Sequence, residues 1–476
     1  MSTGTVDFAG LDGGRVTVSE EDLRALAARM GSPLLRPDDP GWDDAVLIWN
    51  AMAAKVPAAI LQPSSAAGVV EAVRFAAERE LLLSIKGGGH NIAGTSMAAD
   101  GLTLDMSPMR NVNVDVAGRR AHAGAGCLIA DVDAATQEHG LAAVLGFVSL
   151  TGVAGLTLGG GFGYLTRRFG WTVDNLDEVE IVTADGQIRT ANATENAELF
   201  WALRGGGGNF GVVTRFTFRL YEVGPQVTGG LILWDGARAE EVQAAYRQLT
   251  ESAPRELTAV LTIRLAPPAP FVPEEWHGKP IVGMVVCYSG ADAATALAPI
   301  HALGEPIVDL ITEKPYVAQQ SMLDATQPKG AHYYWKTEFV PELSDEYQDT
   351  FRAAALRVTS PMSQSMVFHL AGALNERADD DGAMGNRRAA YVTGFAGAWP
   401  AADPRGPEHV AWVRESWETI RGFSTGNYVN FQVADDDTDR TAAAYGANFE
   451  RLRRVKADVD PGNLFRVNRN IVQPIG

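Results

Sequence analysis

The chain has 476 residues, more than one hydrophobic core supports, since single cores stop growing beyond about 250–300 residues. With 40 Lys+Arg against 58 Asp+Glu its formal charge is −18, which argues against nucleic acid or an anionic membrane as partner and favours neutral or cationic substrates. A composition 46% hydrophobic and 21% charged excludes general disorder. Two cysteines, Cys127 and Cys287, form no CxxC, which argues against a disulfide framework or a cysteine zinc site. The N-terminus, MSTGTVDFAG, has no basic start and no apolar core, so no signal peptide is read and a cytoplasmic location is expected.

In chain order, Ser19 caps an expected helix over Glu20–Met30, stopped by Gly31 and Pro33. A second helix is expected over about 66–80, with Val69, Val70, Val73 and Ala76 on one face. Residues 81–85 and 102–105 read as strands, and Lys86-Gly87-Gly88-Gly89-His90-Asn91 follows the first of them. Residues 140–166 hold no charge but eight glycines. Each glycine costs about 1 kcal/mol in a helix in water, so the stretch is expected as buried, irregular backbone against something large and flat, not as a membrane span. A hairpin over 178–190 turns at Asp185-Gly186, a short helix over 196–204 ends at Gly205, and 212–220 alternates like a strand.

Composition shifts at Gly224-Pro225. Beyond it, helices are expected over 236–250, 344–358 and 408–421, and strands over 259–264, 281–288, 366–370 and 389–395, a mixed α+β region. The tail offers a strand over 428–433, one helix over about 438–456, and Asp460-Pro461-Gly462-Asn463.

Two motifs fail on element order. Residues Gly206 to Gly211 match GxGxxG, but a helix precedes them and a strand follows, the reverse of a nicotinamide-dinucleotide site. Backbone contact with some other cofactor stays open. Residues Gly422 to Gly426 match GxSxG, but a nucleophile elbow needs strand before serine and helix after it, again the reverse. The eight histidines form neither HExxH nor His-x-His, so no metal is expected. His90 stands apart. The glycines before it let consecutive amides converge, which is how backbone holds a pyrophosphate, although a plain tight turn with a spare histidine accounts for the loop equally well by itself.

Taken together, IKGGGHNIAG, TGVAGLTLGGGFGYLTRRFG, LFWALRGGGGNFGVVTRF, and NYVNF with DPGNLFRVNRNI resemble the FAD-linked oxidases of the vanillyl-alcohol oxidase/PCMH superfamily. Within it the chain is similar to the bacterial berberine-bridge-enzyme-like branch, from about Lys55 to Ile471. The resemblance implies an α+β, two-domain PCMH-type FAD-binding fold whose substrate domain is an antiparallel sheet backed by helices. Residues 1–223 would form the FAD-binding domain (its core about 53–223), 224–423 the substrate domain, and 424–476 a segment returning to the FAD domain.

It further implies FAD bonded covalently through the His90 ring to the flavin 8α-methyl. Gly87, Gly88, Gly89 and Asn91 would cup the pyrophosphate, with Lys86 where the family usually has arginine. The link would be single, because Val148 stands where some members carry a second, cysteine attachment, and Cys127 lies too far upstream. Thr151 and Gly152 would lie beside the ring where oxygen reacts, Thr151 replacing the frequent Val or Leu. Gly155, Gly159, Gly160, Gly161 and Tyr164 would wrap ribityl and phosphate, and Asn209, Gly211 and Val212 the adenine or ribityl end.

The implied chemistry is hydride transfer from a small organic substrate (alcohol, sugar or natural product) to FAD, a base taking the accompanying proton and oxygen accepting the electrons to give hydrogen peroxide. Tyr428 is the first candidate for base or substrate orienter, with Asn430 holding the flavin or Tyr428, and Tyr391 is the second. Residues 388–395 offer no carboxylate base, and His332, Tyr333, Tyr334 and Lys336 are candidates for the substrate side. The rivals are a dehydrogenase using another acceptor, an idle flavin-binding protein, and a colourless hydrolase acting through Ser424.

Overall fold

The computed structural model describes residues 4–471. Besides two two-stranded pairs, Thr5–Ala9 with Arg15–Ser19 and Leu141–Ala142 with Tyr221–Glu222, its first part holds two main sheets. In one, Ala59–Leu61, Leu102–Asp105 and Leu83–Lys86 run parallel, with Leu34–Leu35 antiparallel at the edge. The helices Glu20–Met30 and Ala66–Glu78 bury Leu23, Leu26, Val69, Val73 and Ala76 in the same core as these strands. Both start as the sequence predicts: Ser19 accepts from the Asp22 amide and Ser65 from the Gly68 amide, each cap contributing about 1 kcal/mol. The second sheet is antiparallel, in the order Ile188–Asn192, Leu176–Val182, Val212–Arg219, Arg120–Gly124, Val112–Asp115. The hairpin about Asp185-Gly186 forms as expected, with Gly186 at φ +69°.

An eight-stranded antiparallel sheet draws all its strands from residues 226–399. Its central order is Gln226–Asp235, Pro280–Tyr288, Leu257–Leu265, Gln364–His369, Tyr391–Trp399, His332–Val340. Alternation along these strands decides everything that follows. Leu261, Ile263 and Val367 face the helices Ala239–Ser252, Asp345–Ala355 and Gly406–Ile420, sharing a core with Tyr246, Phe351 and Trp412. The Tyr246 hydroxyl fastens this layer by donating toward the carbonyls of Ala259 and Val367. Val260, Met366 and Phe368 face the other way and join the core of the first part.

Four expectations change. Residues 428–433 are not a strand but a 3-10 turn over Val429–Phe431, because they are buried on both sides between the two parts and find no ladder partner. The helix expected over 438–456 breaks at Gly446, φ +51°, into Thr438–Tyr445 and Phe449–Val459. The uncharged 140–166 stretch contains a helix, Val153–Leu158, inside otherwise irregular buried backbone. Strands Gln226–Asp235 and His332–Val340 were not expected, since Gly229-Gly230 interrupts the first and His, Lys and Glu dilute the second.

The two parts are joined by a buried ion pair. Arg387 donates to both carboxylate oxygens of Asp174, at 2.7 and 2.8 Å, with the two side chains 2% and 0% exposed. Removing one member leaves the other charge buried and unpaired, so Asp174→Asn should destabilise the fold by about 3–5 kcal/mol in urea unfolding. The double replacement Asp174→Leu with Arg387→Met should cost markedly less than the single one.

Candidate active site

Between the eight-stranded sheet and the first part lies a partly open cavity of about 400 Å³, a size usual for small-molecule sites. The Gly87–Asn91 loop forms one wall. Its strand ends at Lys86, and Gly89 turns the chain at φ +67°. Among the described residues, no acceptor engages the amides of Gly87, Gly88, Gly89, His90 or Asn91, while Asn91 Oδ1 takes those of Ala93 and Thr95. Five unpaired N–H groups on one loop beside a cavity suit an anion cradle. Gly88 and Gly152 pack backbone to backbone. A Cβ on Gly88 would lie 2.5 Å from the Gly152 nitrogen, and one on Gly152 2.3 Å from the Gly88 nitrogen, so neither position admits a side chain. By contrast, Gly155 and Gly208 line the cavity with nothing within 4 Å of a built Cβ, so the backbone there presents a flat, open surface.

His90 opens into this cavity. Protein encloses it on the remaining sides, and burial, aided by the positive charge of Lys329, pulls its pKa down to about 4. The ring is therefore neutral near pH 7, the state in which an imidazole nitrogen has a free lone pair. Trp49 stacks on it at 4.6 Å and 11° between planes, and Tyr333 stacks on the far face of Trp49 at 3.8 Å. Val148, and no cysteine, lines the cavity near Thr151. The Cys127 thiol is buried elsewhere, reaches the Asn111 carbonyl and is pushed up to about 12 by burial.

Tyr428 lies on the same cavity. Its hydroxyl oxygen accepts from the Gly161 amide at 3.0 Å and from Asn430 Nδ2 at 3.0 Å, and Asn430 Nδ2 also reaches the Leu156 carbonyl at 3.1 Å. Burial pushes the phenol up to about 12, against the pull of these two donors. Phe162, Phe431 and Trp171 pack around the ring.

At the opposite end the tail returns to the glycine loop. Asn209 Oδ1 accepts from the Ile471 amide, Asn209 Nδ2 donates to the Arg469 carbonyl, and Asn468 Nδ2 donates to the Gly208 carbonyl. Buried Lys456 holds the same corner through Asp460 and the Asn209 and Phe465 carbonyls.

Twelve of the expected site residues therefore meet at the cavity: Gly87 to Asn91 with Gly155, then Thr151, Gly152, Asn209, Gly211, Tyr428 and Asn430. The others do not face it. Lys86 points back and donates to the Ala45 carbonyl beside Asp105. Gly159, Gly160 and Gly161 lie behind the lining, under Asn430, Met384 and Thr172. Tyr164 is in the core against Phe147, and Val212 is a buried strand residue between two lining neighbours.

Tyr391 is a correction with a clear cause. It pairs with His369, whose parity on its strand is opposite to that of the lining residues Met366 and Phe368, and its hydroxyl meets Thr250 on the helix side at 2.8 Å. His332, Tyr333, Tyr334 and Lys336 do not line the cavity, but Trp335 among them does. Tyr334 and Lys336 bind Asp435 instead. Ser424 is tied to Glu338 and the Gly426 carbonyl, with no histidine among its partners, so no hydrolase site forms.

Several buried polar atoms on the cavity have no protein partner: Ser96 Oγ, Asn468 Oδ1, Tyr445 Oη and Thr262 Oγ1. Buried polar groups are rarely left unpaired. With the open glycine surfaces and the free amides they fit a long ligand that is polar along one flank and flat at one end, as FAD is. Among the described residues no cluster of His, Cys, Asp and Glu could hold a metal, and no helix is long and apolar enough to cross a membrane.

Comparison with known proteins agrees with this chemistry. Residues 57–192 match a family model described as an FAD binding domain, and 427–472 match one described as berberine and berberine like. An FAD-linked oxidoreductase of Dictyostelium discoideum is 31% identical over 89% of this chain and 90% of its own. The (R)-6-hydroxynicotine oxidase of Paenarthrobacter nicotinovorans is 28% identical over 94% of this chain and 99% of its own. The solved structure of 6-hydroxy-D-nicotine oxidase from Arthrobacter nicotinovorans superposes with a TM-score of 0.79 at 26% identity, covering 92% of this chain and 97% of that one. The chain belongs to the berberine-bridge-like FAD-linked oxidoreductases. It is an enzyme of that family with an FAD cofactor, and its fold is α+β of the PCMH type.

Proposed function

We propose that the protein is an oxidase that carries FAD covalently on His90 and oxidises a small organic substrate, with molecular oxygen as electron acceptor. One observation carries the reading: a neutral histidine following a cradle of free amides, and a tyrosine held by two donors, open into one cavity. The division of labour would place FAD on 1–223 and 424–476 and the substrate against the sheet of 224–423.

Bound FAD supplies the hydride acceptor; the remaining work belongs to the chain. The amides of Gly87 to Asn91 hold the pyrophosphate, and Asn209, Asn468 and Tyr445 pair with the polar flank. Trp49 fixes the plane of the His90 ring. Tyr428 takes the proton from the substrate O–H or N–H, and Asn430 with the Gly161 amide stabilises the phenolate by donating to its oxygen. Phe147, Phe162, Phe368, Trp335 and Phe431 make the substrate side aromatic, which supports a planar, largely apolar natural product over a sugar, whose hydroxyls would need more polar partners than this wall offers.

The test is the spectrum of purified protein before and after acid precipitation, followed by an anaerobic substrate screen. Yellow colour retained in the pellet, bleached by substrate and restored by air with release of peroxide, is the expected result. Bleaching that air does not reverse would make the enzyme a dehydrogenase, and a flavin that nothing bleaches would make it a binding protein.

A further inference from the structure

The charge inside the cavity opposes the charge of the molecule. The chain carries −18, yet among the described residues no Asp or Glu lines the cavity, and the only lysines or arginines that do are Arg264 and Arg469. Arg469 belongs to the cofactor corner, where it donates to the Gln432 and Val433 carbonyls and its own carbonyl holds Asn209. Arg264 lies on the substrate sheet. Its strand, Leu257–Leu265, turns Val260, Thr262 and Arg264 to the cavity, and these pair in register with Phe368, Met366 and Gln364.

Arg264 has neutral partners only. Nε reaches the Leu265 carbonyl at 3.3 Å, Nη1 the Gln364 side-chain oxygen at 3.3 Å, and Nη2 the Pro361 carbonyl at 2.8 Å. A guanidinium carries five N–H donors, so one on each Nη is left over. Among the described residues no carboxylate lies within 4 Å. Burial lowers its pKa to about 10 with nothing to offset it, which still leaves the group fully charged at neutral pH. Beside it, Thr262 Oγ1 is buried on the cavity with no partner. Arg264 is half-buried, and a partly desolvated cation with no counter-ion is stabilised when an anionic ligand completes it.

We infer that Arg264, with Thr262 and Gln364, binds a carboxylate carried by the substrate. The inference rests on the flavin oxidase reading above, because it takes the Tyr428 end of the cavity as the reacting end. A single arginine with one free donor on each Nη matches the two oxygens of a carboxylate, whereas a dianionic phosphate would need a second cation, and none is present on this wall. The spacing sets the length of the substrate. Phe368 packs at 5.3 Å on Phe162, which packs at 5.1 Å on Tyr428. Arg264 lies four residues along the strand from Val260, the partner of Phe368, or about 13 Å at ~3.3 Å per residue. The substrate is thus an elongated aromatic acid whose carboxylate lies remote from the oxidised carbon.

The experiment uses purified holoenzyme, whose yellow colour is checked first; a colourless preparation would defeat the oxidase reading before this inference is tested. Calorimetric titrations compare 3-phenylpropanoate and 4-biphenylacetate, each beside its uncharged amide. At least one acid should bind ten or more times tighter than its amide. Arg264→Met should erase that preference while leaving flavin content and the affinity for the amide unchanged, and Arg264→Lys should retain part of it. The two substitutions also separate recognition from scaffolding: a merely structural arginine, tied to the Leu265 and Pro361 carbonyls and Gln364, would lower Tm on removal without changing the ratio of acid to amide affinity. Equal binding of acids and amides, no binding of either acid, or a preference that survives Arg264→Met would overturn the inference.

Discussion

His90→Ala protein, purified and precipitated with acid, should give a white pellet and a yellow supernatant, where the parent protein gives a yellow pellet. The geometry makes the substitution clean. Among the described residues the His90 side chain has a hydrogen bond only to its own backbone; Trp49 stacks on it face to face, and it opens into the cavity. Its loss should therefore spare the fold, and the Gly87–Gly89 amides should still hold FAD by its pyrophosphate. What changes is the tether. A covalent link acts as a very high local concentration, and without it occupancy follows free FAD by mass action. Dialysis should then strip the variant but not the parent. Because burial has already lowered the His90 pKa to about 4, attachment should be insensitive to pH between about 5.5 and 8, unlike that of an exposed histidine, which protonates near 6.5. Yellow colour that stays in the pellet of His90→Ala would remove the linkage from this residue.

Where backbone geometry itself demands a residue type, the sequence was readable. Gly186 takes positive φ at the expected hairpin turn, Ser19 caps the helix expected after it, and the apolar spacing of Val69, Val73 and Ala76 marked the second helix, whereas the Gly88–Gly152 contact came only with the structure. The glycines before His90 suggested an amide cradle, with a plain tight turn as an equal reading, and the return of the tail was implied only by the family resemblance. The 3-10 turn at Val429–Phe431 was not legible: Tyr428, Val429 and Phe431 supply a strand's composition, and only their burial between two parts of the chain denies them a ladder.

The substrate wall was hidden for a different reason. On a strand buried on both faces, the sequence does not say which parity faces the ligand. Tyr391 and Phe368 lie on neighbouring strands and look equally suitable, yet a one-residue difference in register sends the first to the helices and the second to the cavity. Arg264 and Thr262 carried a weak signal, two polar residues two apart in an apolar run, that gains meaning only beside Gln364 on the next strand. The charge of −18 is a whole-surface property and leaves the cavity open, where no carboxylate lies among the described residues.

Tyr428→Phe should lower kcat by about 10²–10⁴, the usual contribution of a positioned proton acceptor, with FAD content unchanged. The ring's packing against Phe162 and Phe431 survives the substitution, so the loss falls on the hydroxyl alone. The sharper test is the pH profile of Asn430→Ala. Burial raises the Tyr428 pKa to about 12, and the donors from Asn430 and Gly161 oppose that rise by favouring the phenolate. If the phenolate is the active form, kcat/KM climbs with pH, and removing one donor should move the climb to higher pH. A hydrogen bond to a charged oxygen is worth about 1.5–3 kcal/mol and one pKa unit is 1.36 kcal/mol, so the displacement should be one to two units. Tyr428→Phe measured alone cannot separate a base from a residue that only orients substrate, since both lose the same oxygen. The Asn430 variant does, because an orienting hydroxyl remains protonated throughout and its profile would not move. A Tyr428→Phe enzyme retaining more than about a fifth of kcat would exclude both roles.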